Sequence, residues 1–272
     1  MKRCIGIVLA WILALTPGAA VLSEEEICDG IYRGFYYDGG IEQIAIQFEL
    51  KDGLFDSIVY RGIKYKDGDY LSEDASDAQK AIRKQYMELA DYLIGKGVEA
   101  IDDLYSPYGF VEDVDAVTSA TFKSSKLISA LWDGIKRRPY KIVGETKLPE
   151  APPCQDGIYR GSYMEDGVEE VNVEFEVRDG RFVSLSYRAL QYKHVNYLSP
   201  DADARAQAVA SQFRQVLGYL EGKEIACVND LYQPGEIADD TDATTAATLR
   251  TPKLISALWD GISRNAYERI AE

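Results

Sequence analysis

Histidine is almost missing from this chain: His194 is the only one in 272 residues. There are also only three methionines and four cysteines. His194 has no matching histidine in the first half and reads as a lone surface residue, and no Ser/His/Asp or Cys/His catalytic constellation is seen in the sequence. No Cys-x-x-Cys pair and no Cys-x-x-Cys-His haem site exists. The acids are many but scattered, without the spacing of a metal-ligand set, so the chain offers no metal centre of its own. Cations are the minority charge: 30 Lys and Arg stand against 45 Asp and Glu, for a net charge of −15. Such a surface repels nucleic acid and anionic membrane. It suits a basic protein partner, or serves only to keep the protein soluble.

One long apolar run is present, from Ile5 to Leu15, behind Lys2 and Arg3 and ahead of Pro17-Gly18-Ala19-Ala20. This reads as a secretory signal peptide over residues 1–23, cleaved after Ala20 or Ser23, with an uncleaved anchor helix as the alternative. The expected location is extracytoplasmic, periplasmic or secreted. Lys2 and Arg3 are the only charges in that segment, so cleavage would take the net charge from −15 to −17. Cys28 follows Glu25-Glu26-Ile27, which is not a lipidation spacing. In an oxidising compartment Cys28 and Cys154, at nearly equivalent points of a repeat described next, could bridge, and Cys227 is expected as a buried thiol.

The chain repeats itself. Residues 29–139 align with 156–266 without a gap at a constant offset of 127. Asp29-Gly30-Ile31-Tyr32-Arg33-Gly34 returns as Asp156 to Gly161, and Asp103-Leu104-Tyr105 as Asp230-Leu231-Tyr232. A unit this long can bury its own core. The expected organisation is two tandem homologous domains, 24–145 and 155–272, joined by a proline-rich spacer, 146–154.

Within each unit, apolar residues alternate along Ile44-Ile46-Phe48-Leu50 and Val171-Val173-Phe175-Val177, the signature of a half-buried strand. Asp52-Gly53 and Asp179-Gly180 follow, the composition of a tight hairpin turn. Second strands are expected over Leu54–Tyr60 and Arg181–Tyr187, and the Gly30–Tyr37 segment adds a third strand. A helix is expected next, capped at Ser72-Glu73-Asp74 and Ser199-Pro200-Asp201 and stopped by Gly95 and Gly222. The last helix shows an apolar face of Leu127, Ile128, Leu131, Trp132 and Ile135, and ends at Lys136-Arg137-Arg138-Pro139. Strands followed by helices predict an α+β fold, each unit an antiparallel sheet with two main helices.

Just ahead of that last helix stands a second repeated pattern: Asp115-Ala116-Val117-Thr118-Ser119-Ala120-Thr121, and Asp242-Ala243-Thr244-Thr245-Ala246-Ala247-Thr248. Pro252 fits the first turn of a helix and not its interior. The helix is therefore expected to start with Thr251, and by register Ser124, at its N-cap. Thr121 and Thr248 then lie in a turn at the positive end of the helix, where free amides and the helix dipole form an anion site. Lys123 and Arg250 share one register position, Lys126 and Lys253 another. The alternative is plain capping by a Ser/Thr-rich stretch, although Ser124 and Thr251 already supply the cap.

These residues resemble the flavinylation motif of the FMN-binding domain family, which includes NqrC- and RnfG-type covalent flavoproteins. The commonest form of the motif has Gly where this chain has Ser119 and Ala246. The resemblance covers each unit from its first strand to its last helix. It implies that an ApbE-type flavin transferase joins FMN by a phosphoester to Thr121 and Thr248. Asp115 and Asp242 would be read by the transferase, and Thr118, Ser119, Ala120, Thr245, Ala246 and Ala247 would form the attachment loop. Tyr105 and Tyr232, matched between units and just ahead of the motif, are expected as contacts to the flavin ring, whereas Trp132 and Trp259 are expected in the core. The implied function is electron transfer without a substrate site, between a membrane or secreted redox partner and a further acceptor. Two alternatives stand beside it: a non-catalytic module holding a phosphate-bearing ligand non-covalently, or an accessory subunit of a larger reductase.

Overall fold

The computed structural model describes residues 27–66, 68–107, 123–193, 195–233, 237 and 251–269. The fold is mixed helix and sheet, with two antiparallel five-stranded sheets and, among the described residues, six helices. The first half contains β1 (Gly30–Asp38), β2 (Ile41–Lys51), β3 (Leu54–Tyr65) and β4 (Gly68–Asp69). Helix α1 (Asp77–Leu93), a short 3-10 helix (Val98–Tyr105), α2 (Ser124–Lys136) and β5 (Lys141–Ile142) follow. The second half repeats the series: β6 (Gly157–Glu165), β7 (Val168–Arg178), β8 (Arg181–Tyr192), β9 (Val195–Asn196), α3 (Ala204–Leu220), a 3-10 helix (Ile225–Tyr232), α4 (Thr251–Ile262) and β10 (Glu268–Arg269). The strand orders are β4-β3-β2-β1-β5 and β10-β6-β7-β8-β9.

Both central hairpins turn at Asp-Gly. Asp52 and Gly53 have φ of 52° and 74°, and Asp179 and Gly180 have 49° and 69°, the left-handed pair that matches the twist of the flanking strands. The repeated Asp-Gly that opens each unit has a related task. The Asp29 carboxylate accepts the amides of Asp52 (3.0 Å) and Gly53 (3.3 Å), and Asp156 accepts that of Asp179 (2.9 Å). Each sheet buries one face under its last helix. Tyr32 stacks on Phe48 and Tyr159 on Phe175, with ring centroids 5.1 and 5.5 Å apart.

The Leu-Trp-Asp-Gly stretch of that helix does two jobs. Asp133 accepts the Phe35 amide at 3.0 Å and Asp260 accepts the Ser162 amide at 2.9 Å, tying helix to strand. Gly134 and Gly261 let the backbones come close, facing Gly34 and Gly161 on the strands. A Cβ on Gly34 would overlap the Ala130 carbonyl oxygen, and one on Gly161 that of Ala257.

The helix starts differ from expectation. Helix α1 is capped by Ser76, in a complete capping box with Gln79, and α3 by Asp203, not by Ser72 or Ser199. The reason is local: Ser72 and Ser199 turn their hydroxyls to the amides two residues on, Asp74 at 3.2 Å and Asp201 at 3.3 Å, and so close small turns. At α2 the N-cap is Lys123, without a side-chain cap, and Ser124 is the first helical residue. Helix α4 likewise begins at Thr251, with Pro252 in its first turn. Cys28, Cys154 and Cys227 are all free, so the Cys28–Cys154 bridge is not formed; Cys28 is buried instead against the Tyr32 hydroxyl. Cys227 is half-buried.

The halves touch through unlike surfaces. The outward face of the first sheet (Arg33, Phe35, Arg61) meets Tyr163 and Glu165 of the second half, and Arg137 and Arg138 at the end of α2 meet Asp260 and Trp259. Phe35 and Ala45 belong to the second half's hydrophobic cluster, and Phe35 meets Tyr163 edge-on at 5.6 Å. Arg137 is buried and joins three groups: Asp133 at 2.7 Å, Asp260 at 3.0 Å and the Ser162 carbonyl at 2.6 Å. Its equivalent, Arg264, is 60% exposed and bonds only its own Asp260 among the described residues. On the outward face of the second sheet, Arg160 and Arg188 are both paired with Glu174, at 2.7 and 2.8 Å. Gln47 holds the equivalent place in the first half.

Candidate ligand-binding site

The two motif loops, Asp115 to Thr121 and Asp242 to Thr248, lie outside the described residues, as does Arg250. The helices they lead into are described, and their first turns carry buried lysines. Lys126 and Lys253 are 6% and 3% exposed, unusual for lysine unless its charge is compensated.

Around Lys253 a cavity of about 400 Å³ opens between α4, the α3 N-terminus and the end of β8. Tyr192, Tyr197, Phe213, Leu190 and Val209 make its apolar wall, and Glu170, Asp203, Arg205 and Lys253 supply the polar groups. A volume in the range of roughly 300–1,000 Å³, apolar walls and a few convergent polar groups are the usual marks of a small-molecule site. The Lys253 ammonium lies 5.0 Å from the Tyr192 ring centroid and 5.3 Å from that of Tyr163. It bonds Glu165 at 3.0 Å and also pairs with Glu170.

Glu165 is the hub of this cluster. It receives Lys253 from its own half, and Arg61 and Arg33 from the first half, Arg33 at 3.7 Å. Burial pushes its carboxyl up, but the hydrogen bonds and charges of Lys253 and Arg61 outweigh that and bring it down to about 2. The wall of the cavity is thus tied to the contact between the halves.

Lys126 has a different setting. Its ammonium lies 5.1 Å from the Tyr65 ring centroid, and no carboxylate pairs with it among the described residues. Gln43 stands where Glu170 does, buried, with Oε1 unpartnered among the described residues. Burial lowers the Lys126 pKa, Lys123 lowers it further, and Asp38 opposes them. The first half also carries Gln79, Ile82 and Tyr86 where the second has Ala206, Val209 and Phe213 on the cavity wall.

The matched tyrosines take other positions. Tyr105 is 65% exposed at the end of its 3-10 helix. Tyr232 is partly buried and donates to the Pro139 carbonyl at 2.6 Å, bracing the connection between the halves. Neither is among the described lining of the cavity; its aromatic wall comes from Tyr192, Tyr197 and Phe213. Trp259 is fully buried, and Trp132 packs half-buried against the first core.

Among the described residues there is no group of three or more metal-ligating side chains, and no helix is long and apolar enough to cross a membrane. Comparisons with protein-family models, with curated proteins and with solved structures find no match.

Proposed function

We propose that the chain is a secreted electron-transfer flavoprotein built of two tandem homologous domains, each carrying FMN joined through its phosphate to a threonine, Thr121 in the first and Thr248 in the second. One observation carries this reading. The repeated Asp-x-x-Thr-x-Ala-Thr pattern leads each time into a helix with a buried lysine in its first turn, and in the second half that turn lines an aromatic cavity of about 400 Å³. The donor set fits a phosphate-bearing aromatic group: helix amides and Lys253 or Arg205 for the anion, Tyr192, Tyr197 and Phe213 for a planar ring. FMN supplies reversible uptake of one or two electrons, and the protein's part is to hold it, shield it and set its surrounding charge.

In this reading the threonine hydroxyl is the acceptor of the flavin phosphate and an ApbE-type transferase supplies activation and metal. Residues 1–23 direct export, and residues 146–154 join the domains. Electrons come from a membrane or secreted redox partner and leave to another protein or acceptor, so no turnover site of the chain's own is required.

Co-expression with such a transferase, followed by denaturation, is the test. Intact mass rises by one FMN less water per loaded site, the band fluoresces in a denaturing gel, and Thr121→Ala and Thr248→Ala each remove one increment. Colour that washes away entirely on denaturation refutes covalent attachment. It would favour the second reading, a non-covalent site for a phosphate-bearing ligand, which the described lining of the cavity supports without needing either threonine.

A further inference from the structure

The lysines Lys126 and Lys253 occupy the same register position and lie over matched tyrosines, Tyr65 and Tyr192, at 5.1 and 5.0 Å, but differ in the charges around them. Lys253 faces two carboxylates, Glu165 and Glu170, with Arg61 and Arg33 gripping the far side of Glu165. On the cavity wall the cations Lys253 and Arg205 are balanced by the acids Glu170 and Asp203. At the equivalent positions the first half has Gln43 for Glu170, Ser76 for Asp203, Ala78 for Arg205 and Lys64 for Gln191. At those four positions the first half thus carries one lysine and no acid, and that lysine, Lys64, lies beside the Glu42 carboxylate. Lys64 reaches the exposed Asp166 at 3.3 Å. Asp38, where the second half has Glu165, is hydrogen-bonded by Gln43 at 3.4 Å and is exposed. In a half-buried setting such charge differences act at reduced dielectric and are not screened away.

We propose that the two homologous sites are electrostatically unequal: the first, whose buried lysine has no paired carboxylate among the described residues, favours added negative charge, and the second, whose lysine is paired with two carboxylates, does not. The first site therefore holds an anionic group more tightly, and with FMN at both sites it has the higher reduction potential. This last step rests on the FMN reading. Two electrons and one proton taken up at neutral pH leave the ring one unit more negative, the electrons coming from the redox partner in function and from dithionite in a titration. An uncompensated ammonium nearby favours that reduced form, and a carboxylate beside the ammonium cancels the effect. Electrons shared between the sites settle on the first.

The experiment uses the full chain in two singly loaded forms, Thr248→Ala with flavin at the first site and Thr121→Ala with flavin at the second, each checked by intact mass. Anaerobic dithionite titration should give the first site a potential higher by the equivalent of at least tenfold in equilibrium constant, about 30 mV for a two-electron couple. Gln43→Glu should lower the first potential and leave the second in place, and Glu170→Gln should raise the second. Equal potentials, or a higher second one, overturn the proposal. A second arm needs no flavin: in unloaded, isotope-labelled protein, the Nζ resonance of Lys126 should move with added inorganic phosphate and that of Lys253 should not. If no flavin is found by mass, the FMN reading falls while this arm still decides the charge asymmetry; equal response of both lysines, or of neither, refutes it.

Discussion

Replacing Glu165 by Gln tests the hub of the charge cluster. The carboxylate accepts Lys253 at 3.0 Å, pairs with Arg61 and lies 3.7 Å from Arg33, and its side chain is 16% exposed. Burial alone would raise its pKa, yet Lys253 and Arg61 bring it from 4.5 to about 2. At full strength such a depression corresponds to about 3 kcal/mol; allowing for partial solvent contact, about 2 kcal/mol is the working figure. Because the folded-state value lies below the unfolded one, the stabilisation is complete at neutral pH. It fades as pH falls below about 4.5 and is gone near pH 2. The Glu165→Gln protein should therefore melt about 4–8 °C below the parent at pH 7, taking 2–4 °C per kcal/mol for a chain of this size. The two melting curves should converge as the pH is lowered from 5 towards 2.5. A gap that stays constant across that range would mean that Glu165 acts by packing and not by charge, and the account of the cluster would be wrong.

Three other perturbations have definite outcomes. Gly34→Ala forces a methyl group into the Ala130 carbonyl oxygen, a backbone atom that cannot swing aside; about 3 kcal/mol or more should be lost in urea denaturation. Arg137→Met leaves the half-buried Asp133 and the buried Asp260 without their shared cation and should cost about 3–5 kcal/mol, whereas Arg264→Met, at an exposed side chain, should cost under about 1 kcal/mol. Glu170→Gln should leave Lys253 with Glu165 alone, making phosphate-induced shifts of its Nζ resonance measurable where the parent shows none.

Much of the scaffold was legible because it rests on short-range rules. Period-two alternation and Asp-Gly turns mark the central hairpins, and the apolar face and terminal cations mark α2. The misread helix starts, Ser72 and Ser199, follow from a competition that composition cannot decide: the same hydroxyl closes either a small turn or a helix. The short strands β4, β5, β9 and β10 have two residues each, too few for any periodicity. Lys126 and Lys253 stood out in sequence as matched cations, but their difference did not. Glu165 and Glu170 reach Lys253 from 88 and 83 residues away, and Arg61 joins from the other half; such distant pairings leave no spacing signal. The aromatic wall of Tyr192, Tyr197 and Phe213 was hidden for the same reason, being assembled from β8, the segment beyond β9 and α3.

The way the halves meet has a consequence for assembly. A surface of one repeat fits a different surface of the next, a head-to-tail relation that, applied again, would generate an open-ended row of molecules. A single exchange sets the second repeat apart. Where Gln47 leaves Arg33 and Arg61 to reach an acid of the second half, Glu174 satisfies Arg160 and Arg188 within its own sheet, so the outward face of the second sheet carries these two cations already paired and does not repeat the contact that joins the halves.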